Sequence, residues 1–167
     1  MPNKILIISI VILSNIIFSN SYSNEQISFD VSEIEIIDGG NKIIGKNRGI
    51  ISTNSGLTIN ADEFEFDKIK NILRASGNIK ISDEVNNFDI VAEKISYFKE
   101  DEEIRINGKS NSTIDSNYNF ETEDIIILRN EMIISSDKNA KIIDIKNKTR
   151  FEISKFSYSI NDKEIKG

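Results

Sequence analysis

Apolar residues alternate with polar ones along this chain, and the alternation changes phase at regular intervals. In LTINADEFEFDKIKNILRASGNIKI (57–81), Leu57, Ile59 and Ala61 fall on odd positions and Phe64 and Phe66 on even ones. Leu73, Ala75, Ile79 and Ile81 return to odd. Alternation with a period of two marks a strand with one buried face, and Ile and Phe suit strands. One additional residue turns every later side chain to the opposite face. A strand that keeps its apolar side inward from Ala61 to Phe64 must therefore hold a bulge or corner there.

The phase change recurs. Val31, Ala61, Ala92, Thr122 and Ile153 occupy one register, at intervals of 30 or 31 residues. Two residues earlier stand Phe29, Ile59, Ile90, Phe120 and Phe151; three later stand Ile34, Phe64, Ile95, Ile125 and Phe156. Five later come Ile36, Phe66, Tyr97, Ile127 and Tyr158, and twelve later Ile43, Leu73, Ile104, Ile134 and Ile165. Only Thr122 is polar, in a chain that is 38% apolar, so random placement would leave most of these positions polar. A fixed period of this length signals stacked repeats. Each unit reads as a strand that bends, a polar turn such as DGGN, DKIKN or FKEDEE, and a second strand. Five such units predict an all-β fold, an elongated open β-jellyroll whose two sheets face each other across one apolar seam. Ala75, Ile79 and Ile106 fall on the same face and complete the seam.

Small residues are interleaved in it: Ala61, Ala75, Gly77 and Ala92. They either leave room between the sheets or fit the narrow end of a wedge, and ordinary core packing uses the same residues. Asp62, Glu93 and Glu123 stand at the phase change and read as solvated bulge residues, so replacing Asp62 should do little. The last unit reaches only Ile165 and Gly167 with no visible cap. That fits either an edge left open for a partner strand or the front portion of a longer protein.

The N-terminus adds a compartment. Lys4 precedes an apolar run over 5–18 that Ser9, Ser14 and Asn15 interrupt, and SNSYS follows. This is a secretory signal layout with cleavage after Ser23, leaving a domain over 24–167. A spanning helix needs about 20 apolar residues. The net charge of −6 argues against a nucleic-acid partner. The chain has no Cys and no His, which removes the commonest nucleophile, base and metal ligands. Its carboxylates are spread over turns and outward faces without a constellation, so no catalytic residue, metal or cofactor is expected and the chain reads as a non-enzyme.

With the repeat in place, the residues resemble the OstA-like family of lipopolysaccharide transport. Ala61, Asp62, Phe64, Phe66, Asp67, Leu73, Ala75, Gly77, Asn78 and Ile79 fit its repeat, and Ala92, Glu93, Ile95, Tyr97, Ile104 and Gly108 fit it again. Thr122 and Ser136 depart from it, and the last unit keeps only Phe156, Tyr158, Ile165 and Gly167. The likeness spans about 29–167. It implies a periplasmic β-jellyroll that stacks end to end with similar domains through edge strands and cradles the acyl chains of lipid A in its seam. Two forms of the family are implied: the free bridge protein of the LptA type, and the N-terminal domain of the LptD type, which an outer-membrane barrel follows. The wording ASGNIKI and the abrupt C-terminus favour the LptD type; the length favours the LptA type. The disulfides of the LptD type cannot be carried over to a chain without Cys. The contrasting expectation is a non-catalytic structural or adhesive β-solenoid at the cell surface, whose seam would be a fully packed core.

Overall fold

The computed structural model describes residues 26–167; the expected signal peptide at 1–23 lies outside the described residues. The strands are β1 (Ile27–Ile37), β2 (Lys42–Thr53), β3 (Leu57–Ala61), β4 (Glu63–Asp67), β5 (Ile72–Asp83), β6 (Phe88–Phe98) and β7 (Glu103–Ile114). They continue as β8 (Tyr118–Glu123), β9 (Ile126–Leu128), β10 (Ile133–Ser136), β11 (Ala140–Asp144), β12 (Thr149–Ile153), β13 (Phe156–Ser159) and β14 (Glu164–Lys166).

All pairings are antiparallel, and they sort into two layers joined by bent strands. Sheet 1 runs β1–β2–β3–β5–β6–β7–β8–β11–β12. Sheet 2 runs β1–β2–β4–β5–β6–β7–β9–β10–β13–β14. The long strands β1, β2, β5, β6 and β7 contribute one half to each sheet. Their bends line one margin, the spine. The tight turns of both sheets line the opposite margin, the mouth. The architecture is the all-β jellyroll the repeat predicts, with β1 at the edge of both sheets at one end and β12 and β14 at the other.

The spine contains more corners than the phase changes indicate. The expected corners are present: the register shifts between Val31 and Glu33 and between Ala92 and Lys94, and β3 breaks from β4 at Asp62. The second strand of each unit bends as well. Left-handed backbone at Asn47–Arg48, Gly77–Asn78 and Gly108 turns β2, β5 and β7 through the spine. These bends restore the original phase, so inward residues stay on odd numbers from Ala75 to Ile79, and alternation alone cannot reveal them.

Asp62 is part of this corner rather than a solvated bulge. Its carboxylate accepts from Arg48 Nη1 at 3.0 Å and Asn78 Nδ2 at 2.7 Å. Its backbone N–H donates to the Gly77 carbonyl and its carbonyl accepts from Arg48 N, both at 3.0 Å. Asp124, not Glu123, takes this position two repeats further on, its carboxylate accepting from Gly108 N at 2.8 Å and its N–H donating to Gly108 O at 3.1 Å. Glu93 and Glu123 are exposed.

At the mouth, sheet 2 turns through left-handed backbone in every repeat: Asp38–Gly40 in the first, then Asn71, Glu102, Met132 and Lys163. Successive turns are laced together, Lys99 N to Asn71 O at 3.0 Å and Arg129 N to Glu102 O at 3.0 Å. Asp67, Asp83 and Asp144 close their turns by accepting backbone N–H groups two or three residues on.

Candidate functional site

The ladder registers assemble the sequence columns into continuous rows. On sheet 2, Ile36, Ile43, Phe66, Leu73, Tyr97, Ile104, Ile127, Ile134, Tyr158 and Ile165 lie side by side, each paired with the next. The columns five and twelve residues after the Ala61 register are thus one row, supplied alternately by rising and returning strands. On sheet 1 the row is Phe29, Ile51, Ile59, Ile81, Ile90, Ser112, Phe120, Ile142 and Phe151. Ser112 is its one polar member, buried, and its Oγ has no hydrogen-bond partner.

The rows face each other across the seam and touch. Phe29 on sheet 1 meets Phe66 on sheet 2 with ring centroids 5.9 Å apart, and Phe120 meets Phe156 at 4.8 Å. Of the residues the repeat places in the seam, those of its central part are buried: Ile59, Ala61, Phe64, Phe66, Leu73, Ala75, Ile79, Ile90, Ala92, Ile95, Tyr97, Ile104, Ile106, Phe120, Ile125, Ile127 and Ile134. Each fully buried large side chain among them contributes about 1.5–3 kcal/mol. Ala61, Ala75 and Ala92 are buried beside the spine, and Gly77 forms one of its bends. Gly49 belongs there too, since a Cβ on it would stand 2.2 Å from Val31 Cγ1. The rows continue past the packed region at the β1 end, where Ile34 and Ile36 carry the inward register yet are 49% and 61% exposed.

The mouth holds what the repeat pattern does not announce. Asp83 ends β5 on sheet 1, and Arg129 sits in the β9–β10 turn of sheet 2. Arg129 Nε donates to Asp83 Oδ2 at 2.9 Å, and both side chains are almost fully buried, 5% and 0% exposed. Arg129 Nη1 donates to Glu102 Oε2 on its own sheet, and Nη2 reaches across to Ser55 Oγ at 2.8 Å. Burial by itself lowers the guanidinium pKa; the facing Asp83 and Glu102 carboxylates outweigh it and hold Arg129 above its ordinary value. One repeat further on, Asp115 on sheet 1 accepts from the Tyr158 hydroxyl and pairs with Lys163 Nζ at 3.5 Å, both on the sheet 2 side. Burial first, and then the Asp115 carboxylate, raise the Tyr158 hydroxyl above the usual phenol value, so it remains a donor. Among the described residues no group of three or more acidic residues is placed to hold a metal ion.

No protein-family model and no curated protein sequence matches the chain. Its structure is similar to the crystal structure of LptH from Pseudomonas aeruginosa, described as the LptA homologous periplasmic component of the conserved lipopolysaccharide transport device. The match has a TM-score of 0.61 at 10% sequence identity and covers 77% of this chain and 94% of LptH. The two chains share the β-jellyroll fold.

Proposed function

We propose that this chain is a non-catalytic carrier of lipopolysaccharide in the periplasm, holding the lipid A acyl chains in the seam. The observation behind this reading is the pair of apolar rows, broken only by Ser112, which run the length of the roll, with the inward register left uncovered at Ile34 and Ile36. An amphiphile needs a dry slot bordered by water along one side, and a jellyroll whose strands run through the spine and whose sheets meet at the mouth through side chains such as Arg129 and Asp83 supplies one. Movement along a slot needs many similar weak contacts, which a repeated row of Ile, Phe and Tyr provides. Edge strands at β1, β12 and β14 suit end-to-end stacking with similar jellyrolls. The fold it shares with LptH supports the same reading.

A photo-crosslinking residue at position 66 in isolated envelopes, with one at an edge strand as control, tests this. A lipopolysaccharide adduct at 66 is expected, and Phe66→Glu or Tyr97→Glu in a folded protein should abolish loading. The mass of the adduct also separates the two family forms: a free chain in the LptA type, a chain continued by an outer-membrane barrel in the LptD type favoured by the sequence. The complete burial of the central seam favours a second reading, the structural β-solenoid. Crosslinking at the edge control with none at 66 would establish it instead.

A further inference from the structure

We infer that the Arg129 cluster is a latch across the mouth that an anionic amphiphile opens, its headgroup taking the guanidinium in place of Asp83 and Glu102. The inference rests on the carrier reading above. A lipid with its chains in the seam projects its headgroup through the mouth. To move along the roll, that headgroup must cross the line where Arg129 joins the two sheets, and it cannot pass through a closed bond.

Opening the bond would strand a buried guanidinium, which is strongly unfavourable unless a new partner arrives. A neutral headgroup offers none. A phosphate or carboxylate offers two acceptor oxygens that match the planar fork of arginine. The carboxylates, by contrast, each have a second donor on their own sheet. Asp83 accepts from Asn86 N and Asn86 Nδ2, both at 2.9 Å. Glu102 accepts from the Tyr97 hydroxyl at 2.9 Å. Both acids remain hydrogen-bonded when the arginine leaves, so the arginine is the exchangeable member. The other Lys and Arg side chains found in ion pairs are 46–69% exposed. Arg129 is the cation that only a ligand already seated at the mouth can reach.

The test compares two probes with the same fluorescent acyl chain, a lysophosphatidate and an uncharged monoacylglycerol, each below its micelle concentration. The wild-type chain should bind the lysophosphatidate at least tenfold more tightly, and excess inorganic phosphate should not compete. Arg129→Met should erase the preference. Because that variant leaves Asp83 buried without its ion-pair partner and can misfold, Asp83→Asn/Glu102→Gln/Arg129→Met removes both signs of charge together. It should bind the two probes equally and load both faster than wild type, with an unchanged circular dichroism spectrum. Equal binding of both probes by the wild type would overturn the latch while leaving the carrier reading in place. Competition by inorganic phosphate would make the site a free-anion site and also overturn the latch. Binding of neither probe would overturn the carrier reading itself.

Discussion

Gly77→Ala isolates the role of the spine corner. Gly77 has φ +78°, and a Cβ on it would stand 2.7 Å from Asp62 Oδ2 and 3.0 Å from Asp62 Cβ. Left-handed backbone costs a residue with a Cβ about 1–2 kcal/mol. The loss of unfolded-state freedom returns roughly 0.4–1 kcal/mol. The clash then displaces a carboxylate that Asn78 and Arg48 hold; weakening the Asn78 bond adds about 1 kcal/mol. The Arg48 pair adds little, because its two side chains are 54% and 39% exposed. The expected total is about 2 kcal/mol. Gly108→Ala is the control: its φ is +83°, but nothing lies within 4 Å of the added Cβ, so about 0.5–1 kcal/mol is expected. Urea unfolding should show a midpoint shift for Gly77→Ala roughly two to four times that for Gly108→Ala, with unchanged slope. In the Asp62→Ala background the cost of Gly77→Ala should fall to that of Gly108→Ala, a coupling a double-mutant cycle measures directly. If both glycine variants lose the same stability and Asp62→Ala changes neither, Asp62 does not order the corner and the reasoning fails.

Two further outcomes follow from the mouth turns. The Asp67 and Asp144 carboxyls are held below their ordinary value chiefly by the backbone N–H of Lys70 and of Asn147, respectively. A lowered native pKa gives stability that is present above about pH 4 and lost as pH falls through the native value, so acid titration of the urea midpoint should decline there and Asp67→Asn/Asp144→Asn should flatten the decline. Lys148 is an exposed residue with φ 54° in the β11–β12 turn, where earlier repeats place Gly56 and Asn87, so Lys148→Gly should raise the urea midpoint by the equivalent of about 0.5–1 kcal/mol; a lower midpoint would count against the turn assignment.

The rows were legible in the sequence because they rest on two local signals that reinforce each other, a period of two within strands and a period of 30 or 31 between them. That is why the seam residues from Ile59 to Ile134 are buried together, while the columns fray at Ile34, Ile36 and Phe151 near the ends. The corners were half legible: a one-residue insertion shifts the phase, whereas the bends at Gly77–Asn78 and Gly108 conserve it. The similar placement of Glu123 and Asp62 in the repeat misled for a related reason, since the fourth unit breaks between β8 and β9 and its corner acid is Asp124. The Arg129 cluster was not legible at all. Ser55, Asp83, Glu102 and Arg129 lie in different repeats, and what brings them together is the meeting of turns from the two sheets across the mouth. That meeting leaves no mark on any single stretch of chain.

The ladder also bears on how the chain reaches this shape. Each strand pairs with strands a few tens of residues away or fewer, whereas the bond from Arg129 to Ser55 spans 74 residues. Hairpins of this kind form early because closing a short loop costs little chain entropy, and each finished hairpin is a template for the next. The roll can therefore grow by zippering from any nucleus. The bonds that join the two sheets across the mouth close last, once the ladder has brought distant turns together.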